Sequence, residues 1–185
     1  MHLAELNRAF RSTLEILARV RPQDLDAPTP CASWDVHALV NHFVGTARWW
    51  ATTIAGDSEV AGADYAAGDY VAAYEESISI AVAAFGSHGA LEKTVRLPFG
   101  EFPGAVLLGL AATEQFTHGW DLARAIGDST NLDPELAAGL LSQARLSIPD
   151  ALRGPDGEAL FGLAAEAPAG AGKADQLAAF LGRSV

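Results

Sequence analysis

The segment 105–126 constrains the fold of this chain more than any other, because it contains no proline and is apolar on nearly every side. Gly127 follows it, and glycine is common just beyond the end of a helix. A helix that is hydrophobic all round has to be covered by other elements. We therefore predict a long helix here, the most buried one in the protein.

Apolar residues at helical spacing predict further helices along the chain. These cover residues 3–20, 33–55, 70–85, 134–148 and 174–181. Ser33 is the predicted N-cap of the second helix, with Asp35 in its first turn. The prolines of residues 21–30 predict a connector, and residues 87–104 predict a long loop with a small hairpin. The sequence therefore predicts an all-α fold.

Length, charge and cysteine content narrow the class of protein. With 185 residues the chain fits one domain, and no apolar run approaches the roughly 18 residues that a membrane span needs. The N-terminal residues lack the basic and apolar regions of a signal peptide, so we expect a cytoplasmic protein. A net charge of -11 opposes binding to phosphate backbones, which argues against a nucleic-acid partner. The single cysteine, Cys31, excludes an internal disulfide and a cysteine-rich zinc site.

Three ionisable residues share one face of the segment 105–126. At about 100° per residue, His118 lies about 40° and Asp121 about −20° from Glu114. Burying an unpaired carboxylate costs several kcal/mol or forces its protonation, so this cluster indicates a compensating cation. A metal ion is one such cation, and a hydrogen-bonded Glu-His core pair is the simpler alternative.

His42, in the middle of the second predicted helix, is the third expected ligand. Its helix face is mostly apolar and includes the small residues Ala38 and Gly45, which leave room for an ion. Two imidazoles and one carboxylate suit zinc, with an open fourth position as in catalytic zinc sites, and nickel or iron are also compatible. The remaining histidines are expected on the surface: His2, His37 and His88.

Five sequence motifs connect the chain with a known family. They are residues 28–34 (Pro-Thr-Pro-Cys-Ala-Ser-Trp), 39–42 (Leu-Val-Asn-His), 98–104 (Pro-Phe-Gly-Glu-Phe-Pro-Gly), 118–125 (His-Gly-Trp-Asp-Leu-Ala-Arg-Ala) and 177–183 (Leu-Ala-Ala-Phe-Leu-Gly-Arg). In this combination the chain resembles the metal-binding N-terminal domain of mycothiol-dependent maleylpyruvate isomerase, within the DinB-like superfamily. The resemblance extends from the first predicted helix to the last.

The resemblance implies an up-down-down-up four-helix bundle with additional C-terminal helices. We expect one domain over residues 1–185, with the metal-binding bundle in 1–128 and a helical extension in 129–185. By position, the metal ligands of the family correspond to His42, Glu114 and His118. The implied cosubstrate is mycothiol or bacillithiol, whose sulfur a zinc ion stabilises as thiolate. Relatives often dimerise, so a homodimer is expected.

Asp121 and Trp49 are the two further candidates for the site. Asp121 is expected to hydrogen-bond the free ring nitrogen of a ligand histidine, or else to pair with Arg124. Trp49 shares the face of His42 and is a candidate wall of the pocket that binds the cosubstrate. Large aromatic residues at helical spacing are, however, more often plain core, so both interpretations of Trp49 stay open.

Three other residues have competing interpretations. Arg48 and Arg96 are candidates to bind an acidic substrate, and the simpler interpretation is surface charge in an acidic protein. Cys31 belongs to the 28–34 motif, but a free cysteine is usually a small buried residue, so we do not predict a catalytic role for it.

The leading functional hypothesis is a metal-dependent thiol transferase or isomerase-like enzyme that acts on a small electrophilic substrate. The C-terminal domain of the isomerase has no match after Gly127, so isomerisation of maleylpyruvate itself is not predicted. One alternative is a hydrolase that uses metal-activated water, and another is a non-catalytic metal-containing module that binds a small molecule or responds to stress. The sequence contains neither a nucleophile elbow for a Ser-His-Asp triad nor the paired Glu-x-x-His motifs of a di-iron bundle.

Overall fold

Helices and one β-hairpin make up the secondary structure of the computed structural model. Residues 2–57, 62–98, 100–155, 159 and 161–185 are described. The helices are α1 (Leu3–Leu17), α2 (Val36–Ala55), α3 (Tyr70–Phe85), α4 (Gly104–Ile126), α5 (Pro134–Ser147) and α6 (Lys173–Phe180), and the strands are β1 (Thr94–Leu97) and β2 (Gly100–Pro103). The predicted helices and the predicted hairpin are confirmed. No helix in these ranges is long and apolar enough to cross a membrane.

α4 is the central helix of the fold, as its sequence predicts. It packs against α1, α2, α5 and α6, while α3 packs against α1 and α2. Its interior positions include the fully buried Leu107 and Phe116 and the nearly fully buried Trp120. Helices α1 to α4 thus pack around one hydrophobic core, and α5 and α6 cover the remaining side of α4.

A glycine lets α1 and α4 approach closely beside the candidate site. A Cβ on Gly119 would collide with the hydroxyl and the backbone of Thr13 on α1. The Thr13 hydroxyl instead donates a 2.7 Å hydrogen bond to the carbonyl of Gln115. This contact holds the middle of α4, where the ionisable residues lie, against α1.

The start of α2 differs from the sequence prediction. α2 begins at Val36, and its N-cap is Asp35, whose carboxylate accepts a 2.8 Å hydrogen bond from the backbone N–H of Ala38. The prediction of Ser33 as N-cap, with Asp35 inside the first turn, is therefore wrong. The reason is the preceding loop, in which the backbone N–H of Thr29 donates to the carbonyl of Trp34 and keeps the chain non-helical up to Asp35.

The hairpin and the C-terminal helices are joined to α2 and α4. β1 and β2 pair antiparallel, with Val95 opposite Phe102. The Nζ of Lys93, just before β1, donates 2.9 Å hydrogen bonds to two carbonyls at the end of α2. Trp120 on α4 donates a 2.8 Å hydrogen bond to Asp175 on α6. Phe99, within the 98–104 motif, lies outside the described residues.

Candidate metal centre

The loop before α2 positions an aromatic wall of the site. The hydroxyl of Thr29 donates a 2.8 Å hydrogen bond to the carbonyl of Trp34, and the backbone N–H of Trp34 donates a 2.9 Å hydrogen bond to the carbonyl of Cys31. The folded loop places the indole of Trp34 over the imidazole of His42, with ring centroids 4.3 Å apart. The 28–34 motif therefore covers one side of the His42 ring.

Glu114 and His118, one turn apart on α4, meet His42 between the two helices. The Nε2 atoms of His42 and His118 lie 3.3 Å and 3.7 Å from the same atom, Oε1 of Glu114. One potential ligand atom from each residue lies within 4.8 Å of the others. Donors at about 2.1 Å from a tetrahedral zinc ion are about 3.4 Å from one another. The spacing of these three side chains therefore fits one small divalent ion.

The carboxylate of Glu114 has neutral hydrogen-bond donors around it. Thr46 donates to Oε1 at 2.6 Å, and Trp50 and Gln115 donate to Oε2 at 3.2 Å and 2.9 Å. Burial alone would raise the pKa of Glu114, but the histidines and Thr46 outweigh burial and hold it below the ordinary value.

Glu114 is therefore ionised at neutral pH, and only 21% of its side chain is exposed. Among the described residues, no lysine or arginine forms a hydrogen bond or an ion pair with this carboxylate. A partly buried carboxylate between two imidazoles, without a basic side chain, is a suitable place for a cation.

Asp121 holds the second ring nitrogen of His118. Its Oδ2 lies 3.0 Å from Nδ1 of His118 and accepts the hydrogen bond of the Nδ1–H tautomer. Burial lowers the pKa of His118 below its ordinary value of 6.5, so the ring is neutral at pH 7. The lone pair of Nε2 then points toward Glu114 and His42. A ligand histidine usually has such a carboxylate partner, so this contact suits His118 to bind a metal ion through Nε2.

Asp121 is itself paired with Arg183, which follows α6. The guanidinium donates from Nε to Oδ1 at 3.2 Å and from Nη2 to Oδ2 at 3.0 Å. Asp121 is fully buried, and burial alone would raise its pKa, but the charge of Arg183 and the hydrogen bond from His118 lower the pKa to about 2. The partner of Asp121 is thus Arg183, and Arg124, the alternative considered from the sequence, is exposed.

Cys31 lies beside this ion pair. Its Sγ is 3.4 Å from Oδ2 of Asp121 and 3.5 Å from Nη2 of Arg183. The residue is half-buried. The 28–34 motif therefore contributes two side chains to the neighbourhood of His118, the thiol of Cys31 and the indole of Trp34, whose ring centroid is 5.8 Å from that of His118.

The other residues considered from the sequence lie outside the cluster. Trp49 is half-buried and packs on Trp50 with ring centroids 4.7 Å apart, so its role in binding a cosubstrate stays a prediction. Arg48 bonds to Ser77 and Glu76, and Arg96 bonds to Glu101. Both arginines already have acidic partners, which favours the interpretation of surface charge. His37 pairs with Asp64 at 3.0 Å and is 38% exposed, in keeping with a surface position.

Sequence reasoning did not predict the contacts that five side chains make with the ligand residues or their partners: Trp34, Thr46, Trp50, Gln115 and Arg183. Thr46 and Trp50 are 68 and 64 residues away from Glu114, and Arg183 is 62 residues away from Asp121, so helical periodicity carries no signal for these contacts. The motifs 28–34 and 177–183 contain Trp34 and Arg183 and were the only signal available.

A groove of about 490 Å³ lies away from the cluster, between α1 and the segment after α4. Its walls include Arg8, Arg11 and Arg19, and none of its lining residues belongs to the cluster. Arg8 pairs with Asp133 at 2.7 Å, and Arg19 pairs with Asp128 at 2.7 Å. The charges in this groove are therefore largely paired, and the candidate chemistry lies in the cluster on α2 and α4.

Comparisons with known proteins identify the family of the chain. The family model of the mycothiol maleylpyruvate isomerase N-terminal domain matches residues 6–123. The chain is 40% identical to two proteins of Mycobacterium tuberculosis, uncharacterized protein Rv0738 of strain H37Rv and uncharacterized protein MT0763 of strain CDC 1551. Each match extends over 182 residues, which are 96% of this chain and 95% of the relative. No solved structure matches significantly. The chain belongs to the mycothiol maleylpyruvate isomerase N-terminal domain family, and the match contains His42, Glu114, His118 and Asp121.

Proposed function

We propose that this member of the family binds one divalent metal ion, zinc in the first place, through His42, Glu114 and His118, and acts on a low-molecular-weight thiol such as mycothiol. The observation that carries the proposal is the convergence of two Nε2 atoms on one carboxylate oxygen, at 3.3 Å and 3.7 Å. The thiol in this proposal is taken from the family, which is named after a mycothiol maleylpyruvate isomerase. The reaction class is thiol transfer to, or thiol-assisted isomerisation of, an electrophilic small molecule.

The charge of the ligand set favours an anionic cosubstrate. Two neutral imidazoles and one carboxylate leave a divalent ion with a net charge of about +1. When bound, such an ion is a Lewis acid that stabilises a thiolate near neutral pH. Glu114 supplies the negative charge that holds the cation, and His42 and His118 supply neutral donors that leave the positive charge in place.

Residues around the ligands hold them in orientation. Thr46, Trp50 and Gln115 fix both oxygens of Glu114, and Asp121 fixes the tautomer of His118. The ring of Trp34 covers His42 on the loop side and limits the access of water to it. The arrangement therefore restricts the directions from which a small molecule can approach the cluster.

Metal content tests the first half of the proposal. Purified protein analysed by mass spectrometry for metals is expected to contain one equivalent of a divalent ion, and His42→Ala is expected to lose it. His37→Ala is the matched control, since His37 is on the same helix but pairs with Asp64 outside the cluster. Equal metal content in all three proteins, or none in the wild type after zinc is added, contradicts the proposed site.

Thiol binding tests the second half. Calorimetry with mycothiol and the zinc-loaded protein is expected to show binding that His42→Ala abolishes, and conjugation of mycothiol to a generic electrophile is expected to require zinc. A metal-loaded protein that binds no thiol contradicts the transferase proposal. Zinc-dependent ester cleavage would then identify the hydrolase alternative, and the absence of both activities would identify a binding module.

Three features of the architecture belong to the same proposal. We infer an up-down-down-up direction for α1 to α4, one domain made of a bundle in residues 1–128 with an extension in 129–185, and a homodimer. The contacts of Asp121 with Arg183 and of Trp120 with Asp175 support the second of these, because they join the extension to the bundle. Sedimentation equilibrium of the purified chain tests the third, and a monomer contradicts it.

A further inference from the structure

His118 has potential metal ligands on both sides of its ring. On the Nε2 side lie His42 and Glu114, the proposed site. A second group of three, Cys31, His118 and Asp121, also places one potential ligand atom each within 4.8 Å of the others. A thiolate, an imidazole and a carboxylate are all common zinc ligands, so this second group is chemically able to bind the same ion.

Arg183 occupies the second group. Its guanidinium contacts both oxygens of Asp121, at 3.2 Å and 3.0 Å, and the Sγ of Cys31 at 3.5 Å. A further N–H donates to the carbonyl of Leu181 at 3.1 Å, which fixes the group to its own backbone. Only 16% of the Arg183 side chain is exposed. A guanidinium is permanently charged, so the second group already contains a cation that repels another one.

Metal binding on the two sides of His118 requires two different tautomers of the ring. An ion on Nε2 needs the proton on Nδ1, where Asp121 accepts its hydrogen bond. An ion on Nδ1 requires the other neutral tautomer, in which the ring proton is on Nε2; it takes the oxygen of Asp121 and the thiolate of Cys31 as ligands, and the thiol proton is released to solvent. The ion pair between Asp121 and Arg183 keeps the carboxylate available as an acceptor for Nδ1–H, and so favours binding at Nε2.

We propose that Arg183 determines on which side His118 binds the metal ion. It excludes the ion from the Cys31–His118–Asp121 group and directs it to His42 and Glu114. Arg183 is in this sense a positioning residue, which acts through Asp121. The inference rests on the proposed function, since it presumes an ion at His42, Glu114 and His118. It goes further in assigning this selection to a residue outside the family match, which ends at residue 123.

Cobalt spectroscopy tests the proposal, because a thiolate ligand adds a charge-transfer absorption in the near ultraviolet that imidazole and carboxylate ligands do not give. Metal-free full-length protein is titrated with Co²⁺ alone. We expect no such band in the wild type, a new band in Arg183→Met, and its loss in the double variant Arg183→Met/Cys31→Ser. Arg183→Lys keeps the positive charge and is expected to give the wild-type spectrum.

Each result decides the proposal in one direction. A thiolate band in the wild type, or none in a folded, cobalt-binding Arg183→Met, overturns it. If circular dichroism shows that Arg183→Met is unfolded, Arg183→Gln, which keeps much of the side-chain length without the charge, is used in the same way. Cys31→Ser in the otherwise unchanged chain provides a second test, since it must leave the cobalt spectrum as it is.

The failure of the proposed function looks different from the failure of this inference. If the wild type binds no cobalt, the site at His42, Glu114 and His118 is wrong, whatever Arg183→Met does. If the wild type binds cobalt without a thiolate band and Arg183→Met does the same, the site stands and the selection by Arg183 is wrong.

Discussion

Each side of His118 presents a carboxylate, and the two carboxylates are in opposite electrostatic states. On the Nδ1 side, the carboxylate of Asp121 is fully buried and neutralised by Arg183 at 3.0 Å. On the Nε2 side, the carboxylate of Glu114 is 21% exposed, and the described residues offer it hydrogen bonds but no lysine or arginine. One side contains its cation within the chain, and the other is the side at which we propose that a metal ion binds.

Removal of the His118 imidazole, which both sides share, should have the largest effect on zinc affinity. His118→Ala removes one ligand from the proposed site. Substitution of a residue that only hydrogen-bonds a ligand lowers metal affinity by up to roughly 100-fold, so we expect a larger loss of zinc affinity here. Isothermal titration with zinc measures it. His88→Ala, an exposed histidine outside the cluster, serves as the control and should bind zinc as the wild type does. Unchanged affinity in His118→Ala would show that the ion binds elsewhere.

Removal of the negative charge on the Nδ1 side should have a smaller effect on the metal. Asp121→Asn keeps the size of the side chain but weakens the acceptor for Nδ1–H, and such partner substitutions cost about 10–100-fold in affinity. The same titration measures it. If Asp121→Asn lowers affinity as much as His118→Ala, Asp121 is a ligand rather than the partner of one.

The pH dependence of stability in the metal-free protein should test the ion pair on the Nδ1 side. The pKa of Asp121 is lowered from 3.8 to about 2, so the folded state binds fewer protons than the unfolded state between these values. The carboxylate therefore contributes about 2 kcal/mol to the free energy of unfolding above about pH 4, and this contribution is lost as the pH falls toward 2. Urea unfolding of the wild type and Asp121→Asn, in the presence of a chelator, should show a difference that shrinks over this range.

An exposed ion pair provides the control for that measurement. Glu101 pairs with Arg96 on the hairpin, and both side chains are more than half exposed. Glu101→Gln should change the free energy of unfolding by no more than about 1 kcal/mol at neutral pH, because exposed pairs contribute little. A difference for Asp121→Asn that stays constant from pH 7 to pH 2 would contradict the assigned pKa.

The smallest expected effect concerns the orientation of Glu114. Trp50→Phe removes the 3.2 Å hydrogen bond to Oε2 but leaves the bonds from Gln115 and Thr46. A hydrogen bond to an ionised carboxylate contributes about 1.5–3 kcal/mol, but this one exists with and without zinc, so only part of it is lost and zinc affinity should fall by about fivefold. Trp49→Phe, at the neighbouring position, is the control and should leave zinc affinity unaltered. A loss of affinity in Trp49→Phe but not in Trp50→Phe would contradict the assigned role of Trp50.

Helix α3 shows where sequence reasoning succeeds, and the start of α2 and its two tryptophans show where it fails. Tyr70–Phe85 was predicted to the residue, because apolar spacing and a flanking glycine define a helix locally. Ser33 was preferred over Asp35 as N-cap, because both residue types cap helices and only the folded loop decides between them. Helical spacing points to Trp49 whereas Trp50 contacts Glu114, because a helical wheel does not contain the angle at which α2 crosses α4.

The sequence alone determined the helical class, the family and the pair of Glu114 and His118, since these depend on composition, motifs and a spacing of one helical turn. It also placed Asp121 beside His118, for the same reason of local spacing. Only the tertiary structure decided that Arg183 neutralises Asp121, that Cys31 lies beside both, and that no lysine or arginine in the described part of the chain pairs with Glu114. Asp121 lies 62 residues from Arg183 and 90 from Cys31, and contacts over such separations depend on how the helices pack rather than on any local pattern.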